Sequence, residues 1–141
     1  MPAPRLLAGP AARHSVSLAI VAGGAVGALG RFGLDEALPV QPGRWPWATF
    51  IANIVGTLVL GYVATRLLER LPPSAHARPL LGTGLCGALT TFSSLQVEVV
   101  TLARDGHVVL GGAYLATTVV AGLVCVAAAS AVVRRARWQA P

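Results

Sequence analysis

Residues 82–98 read GTGLCGALTTFSSLQVE, and this stretch decides the fold. Most of it is apolar enough to cross a bilayer, yet it holds three glycines, five Ser/Thr hydroxyls and Glu98. A bilayer core supplies no water to satisfy loosened backbone or polar side chains. A segment of this kind persists only where protein buries it or where it lines a polar path. The stretch therefore predicts a membrane protein whose function runs along this helix.

The rest of the chain agrees. Of its 141 residues, 55% are hydrophobic and only 11% charged, too few charges to clothe a soluble domain of this size. Residues 15–30, 45–65, 79–97 and 108–133 carry no Asp, Glu, Lys, Arg or His. Crossing a bilayer takes about 20 largely apolar residues, so all qualify, the first marginally. The expected fold is an all-α membrane protein with four transmembrane helices. Residues 15–135 form its single domain, between a disordered N-terminal tail (1–14) and a C-terminal tail (136–141). For the first segment, a signal peptide cleaved around residues 22–28 is the weaker alternative, because more membrane follows rather than a secreted domain.

The first helix is expected over residues 15–34, with Gly23, Gly27 and Gly30 at i, i+4 and i+7. Small residues at that spacing let helices approach closely in lipid. A Pro/Gly turn (38–44) leads to Trp45 and Trp47, placed as interfacial anchors. The second helix then runs to about residue 68, and Pro72 and Pro73 mark the next connection. The third is expected over 79–102. Residues 105–107 make a very short turn, so the third and fourth helices are antiparallel neighbours.

The net charge of +6 rests on arginine alone, since the chain has no lysine. Arginines at segment edges fit headgroups and topology rather than nucleic acid. Four spans put both termini on one side, which collects eight arginines (5, 13, 66, 70, 78, 134, 135, 137) against three (31, 44, 104) on the other. That bias predicts cytoplasmic termini in the cell's inner (plasma) membrane. Cys86 and Cys125 fall inside apolar segments and read as buried small hydrophobes. His14, His76 and His107 flank segments without ligand spacing.

Thr49, Asn53 and Thr57 form one polar stripe on the second helix. It reads either as interhelical hydrogen bonding or as a track for a permeating solute. The amide's N–H donors suit an anion. Tyr114 and Thr118 repeat the spacing on the fourth helix, with Gly122 one turn on. On the third, Gly82, Gly84 and Gly87 precede Thr90, Thr91, Phe92, Ser93 and Ser94. Glycines there favour a broken helix whose carbonyls hold a cation, with a straight helix notched for packing as the alternative. The electropositive ring edge of Phe92 can face a small anion. Glu98 reads as a structural, hydrogen-bonded carboxylate, or else as a vestibule wall. No nucleophile–base pair, metal-ligand cluster or phosphate loop is present, so no enzyme is expected.

With these residues in place, the chain closely resembles the small bacterial fluoride channels of the Fluc/CrcB family. The motifs are GGAVGALGRF (23–32), ATFIANIVGT (48–57) and GLCGALTTFSSLQVE (84–98), joined by Tyr114 and Thr118. The resemblance implies an antiparallel, dual-topology dimer with the third helix broken near mid-membrane and two fluoride pores along the interface. It implies a pore-lining role for Asn53 and Phe92 and a fourth-helix polar track at Tyr114 and Thr118. Thr49 and Ser93 join the expected path. Backbone carbonyls of Gly87 and Thr90 would hold a structural Na⁺ at the dimer centre. Arg31, Gly27, Gly84, Thr91 and Glu98 are further motif positions.

Two positions depart from the family pattern. Leu95 stands where a second phenylalanine is usual, and Gly122 where a further hydroxyl is common. The arginine bias also departs from equal dual insertion. It favours one half of a heterodimer of paralogues over a homodimer, each pore then drawing its aromatic lining unequally from the partners. The rival readings are an accessory, non-conducting subunit and a small antiparallel multidrug antiporter. The antiporter needs a glutamate in the first helix, and residues 15–34 contain none.

Overall fold

The computed structural model describes residues 10–69 and 76–135. Helix α1 spans Pro10–Ala37 and α2 spans Trp47–Glu69. A π-helical run, Arg78–Cys86 (π1), continues into a single α-helical turn, Gly87–Leu89 (α3). After Thr90 and Thr91, helix α4 covers Phe92–Arg104 and α5 covers Val108–Arg135. Four stretches are long and apolar enough to cross a membrane: Arg13–Ala37, Trp47–Leu67, Arg78–Arg104 and Val108–Arg135.

Helix α1 starts inside the stretch read as a disordered tail. Pro10 suits a first helical turn because its missing N–H would have no partner there, and two alanines follow it. Residues 1–9 and 136–141, the remainder of the two expected tails, lie outside the described residues, as do Pro72 and Pro73.

Helix α1 packs mainly on π1, and α2 and α4 pack mainly on α5. The α1–π1 contact is backbone on backbone. A Cβ at Gly23 would collide with the Leu80 carbonyl, and one at Gly27 with that of Leu85. From the other side, a Cβ at Gly84 would lie 2.6 Å from the Ile20 carbonyl oxygen. Gly30 shares the predicted face but meets only a Leu89 methyl at 3.7 Å, ordinary contact. Against α5, Gly61 fits beneath Val126 and Ala129, and the Thr65 hydroxyl donates to Ser130 at 2.9 Å.

The short α4–α5 turn closes as a Schellman motif. Gly106 N–H donates to Ala103 C=O at 3.2 Å and His107 N–H to Leu102 C=O at 2.8 Å. Gly106 takes φ 85°, which glycine adopts without strain. Trp47 is exposed, as an interfacial anchor should be, but Trp45 turns inward. It stacks edge-on against Tyr114 at 5.2 Å and Phe50 at 5.6 Å, and its indole N–H is buried without a partner. Cys86 is buried and Cys125 partly so, and both are free thiols. No more than 33% of any span is buried within the chain, so lipid or a second chain must cover the rest.

Candidate ion path

The site centres on Thr90 and Thr91. Both are extended, at φ −80°, ψ 149° and φ −146°, ψ 120°, between α3 and α4. Thr90 N–H still closes the last helical bond, to Cys86 C=O at 3.0 Å, but extended residues carry the ladder no further, so the Thr91 backbone groups need other partners. Asn53 of α2 supplies them. Its Nδ2 donates to Thr91 C=O at 3.1 Å, and its Oδ1 accepts from Thr91 N–H at 2.7 Å. One amide thus replaces a turn of helix, leaving a single N–H for any solute.

Below this clamp, Thr91 caps α4. Its Oγ1 accepts from Ser94 N–H at 3.2 Å, the preferred arrangement for an N-cap threonine. The same hydroxyl donates to Ser94 Oγ at 3.1 Å and lies 3.2 Å from Ser93 Oγ. Arg31 reaches Ser94 Oγ at 3.4 Å and pairs with Asp35 at 3.9 Å, tying the end of α1 to the start of α4. Gly56 makes room for the Thr90 methyl, with which a Cβ there would collide. Sequence reasoning missed Gly56, although it lies within the quoted 48–57 motif.

An open groove of about 340 Å³ runs past these residues, bounded by Asn53, Thr90, Thr91, Phe92, Thr118 and Gly122. Phe92 is 65% exposed and Ser93 is exposed beside it. Leu95 also borders the groove but leaves little surface to it. It is 3% exposed and packs in the subunit core with Leu102 and Tyr114.

The expected hydroxyl track is spent differently from a row of free donors. Thr118 donates to Tyr114 C=O at 2.7 Å, Thr57 to Asn53 C=O at 2.8 Å and Thr90 to Cys86 C=O at 2.9 Å. A hydroxyl has one hydrogen, so each of these offers a solute only lone pairs. Thr49 and Tyr114 do not reach the groove at all. They are buried and clamp Glu98, Thr49 donating to Oε1 at 2.6 Å and Tyr114 to Oε2 at 2.7 Å. Three helices meet at this carboxylate, each oxygen satisfied by a hydroxyl. Glu98→Ala should lower the unfolding midpoint in detergent, costing about 2–4 kcal/mol by orphaning two buried hydroxyls. Glu98→Gln, which keeps one acceptor, should cost about half as much.

Among the described residues no cluster of three His, Cys, Asp or Glu side chains exists. A cation here would have to be held by neutral oxygens. At the break Thr91 N–H is turned toward Asn53, so the Gly87 carbonyl loses its next-turn donor, and open space surrounds Gly87. Hard carbonyl oxygens of this kind suit Na⁺.

Comparison with known proteins is in keeping with this geometry. The family model for CrcB-like proteins, "Camphor Resistance (CrcB)", matches residues 18–130. The "Fluoride-specific ion channel FluC 1" of Mycobacterium bovis is 52% identical over 119 residues, covering 84% of this chain and 90% of the relative. "Fluoride-specific ion channel FluC 2" of Nocardia farcinica is 38% identical over 88% of this chain and 86% of its own length. The Chlorobium phaeobacteroides "Fluoride-specific ion channel FluC" is 35% identical over 80% and 88%. These relatives are named as channels, not enzymes. With nearly all of the four-helix region matched, the chain belongs to the CrcB family, known also as Fluc.

Proposed function

We propose that the protein is a fluoride-selective passive channel that releases cytoplasmic F⁻ and relieves its toxicity. The observation that carries this reading is the groove where the Asn53 amide and the Phe92 ring stand beside opened backbone. Fluoride is small and strongly hydrated, so N–H groups and aryl edges must replace its water. In this reading the chain works as an antiparallel, dual-topology dimer, the uncovered groove being closed by a second chain. Two pores run along the interface, and the third span breaks near mid-membrane. Gly87 and Thr90 carbonyls from both chains hold a shared Na⁺, which offsets part of the cost of an anion at that depth. The protein sits in the inner membrane with its own termini cytoplasmic.

Passive flow is enough for export. HF enters the cell and dissociates, and the inside-negative potential drives F⁻ out. At about 2.3 kcal/mol per charge per 100 mV, roughly fifty-fold depletion needs no ATP.

The arginine bias favours one half of a heterodimer. Leu95, buried against Tyr114, leaves this chain's wall with one aromatic edge, so the partner supplies more of the lining. The same feature supports the second reading, an accessory subunit that scaffolds a conducting partner.

Fluoride efflux from liposomes, measured with a fluoride electrode and with chloride as the control anion, tests the proposal. Selective efflux from this chain, alone or with a paralogous partner, is the expected result. No efflux in either case overturns it and favours the accessory role. Leu95→Phe should raise flux through the chain alone only if the ring swings into the groove. If it packs inward, overpacking should lower the unfolding midpoint instead, by about 1–3 kcal/mol.

A further inference from the structure

A second cavity, about 660 Å³, lies between α2 and π1 and is lined by Leu60, Leu67, Arg78, Gly82 and Thr83 among others. Leu60 also lines the groove beside Asn53, so the two spaces abut. Asn53, Thr57, Leu60, Ala64 and Leu67 follow one another at i, i+4, i+7, i+11 and i+14 on one face of α2. Along that face the combined furrow runs roughly 21 Å. At its far end stands Arg78, exposed, in the first turn of π1. Among the described residues no carboxylate or hydrogen-bond acceptor holds its guanidinium.

Thr83 differs from the other threonines of the furrow. Thr57, Thr90, Thr91 and Thr118 each donate their hydroxyl hydrogen to a protein oxygen. Thr83 is exposed and makes no such bond among the described residues. An exposed cation and an exposed O–H donor, each without a partner among the described residues, therefore share the furrow's open end, on the arginine-rich side of the molecule.

We propose that Arg78 and Thr83 form the anion-gathering mouth of the ion path, taking up hydrated halide-sized anions before they reach Asn53. This inference rests on the fluoride-channel reading above. Arg78 acts by its field, raising the local concentration of anions over an otherwise apolar entrance. Thr83 offers the first hydroxyl to a partly dehydrated ion. In an antiparallel homodimer one such mouth opens at each face of the membrane; in a heterodimer this chain's mouth opens on the side of its own termini.

The test uses the full chain in liposomes, with its partner if flux requires one, and compares wild type with Arg78→Gln, Arg78→Lys and Arg66→Gln. Arg66 is exposed at the same end of α2 but does not line the furrow. At low fluoride and low ionic strength, Arg78→Gln should slow initial efflux by about three- to tenfold, the scale of electrostatic steering by one charge. The deficit should vanish at saturating fluoride or in high concentrations of an impermeant salt, which screens the field. Arg78→Lys should restore most of the rate, Arg66→Gln should match wild type, and Thr83→Val should slow low-fluoride efflux by a smaller factor.

A deficit independent of fluoride and salt would overturn the proposal and make Arg78 a packing or lipid-phosphate residue. Unchanged flux in Arg78→Gln beside a conducting wild type would overturn the mouth alone. Absence of fluoride flux in the wild type, with and without a partner, would overturn both the mouth and the channel reading.

Discussion

Asn53→Asp should cut fluoride efflux about 100-fold while the protein still folds and runs as wild type on a sizing column. The carboxylate keeps the acceptor that takes Thr91 N–H, now 2.7 Å from Oδ1. It loses the donor that meets Thr91 C=O at 3.1 Å and turns an anionic oxygen toward that carbonyl. The larger effect falls on the solute. A negative charge about 6 Å from a passing F⁻, at an effective dielectric near 20, opposes it by roughly 3 kcal/mol. Asn53→Ala separates the two contributions. It adds no charge but leaves both Thr91 backbone groups without their clamp, so it should lower the unfolding midpoint more and the flux less than the aspartate does. An aspartate variant that conducts like wild type would show that the groove beside Asn53 is not the path.

Gly27→Ala should all but eliminate folded protein recovered from membranes, whereas Gly30→Ala should behave as wild type. The two glycines lie one turn apart on one face of α1, yet they differ in what a methyl would meet. At Gly27 it would run into the Leu85 carbonyl, a backbone atom that no rotamer change can move. Helix α1 would have to back away from π1 along its length, at a cost of about 3 kcal/mol or more. At Gly30 the neighbour is a Leu89 methyl at 3.7 Å. Gly23 faces the Leu80 carbonyl and should follow Gly27. Yield of monodisperse protein after extraction in a mild detergent distinguishes the outcomes.

The parts legible in the sequence were those set by composition and spacing along one helix. Charge-free runs located the four apolar spans, and the spacing of Gly23 and Gly27 located the close contact. What escaped depends on a second helix. Nothing local shows that Asn53 serves a backbone two helices away, or that Thr118 and Thr57 spend their hydrogens on their own helix. A polar stripe identifies a face, not the direction of its donors. Thr49, Glu98 and Tyr114 were each singled out, but their convergence was not, although a carboxylate in a span needs donors at its own depth. Trp45 illustrates the same limit. Its position before an apolar run reads as an anchor, and only its edge-on contacts with Tyr114 and Phe50 show it turned inward. Gly30 was grouped with its neighbours because periodicity does not report how far the opposing helix has diverged.

The pairing of Asn53 with Thr91 also bears on how the chain is made. Its third span carries an extended residue, Thr91, whose N–H and C=O are met by Asn53 rather than by a neighbouring turn, and such a segment released alone into hydrocarbon would be unstable. Asn53 lies 38 residues ahead of Thr91, so α2 is made before the segment it holds. Chain order thus places the partner of the opened backbone ahead of the backbone itself.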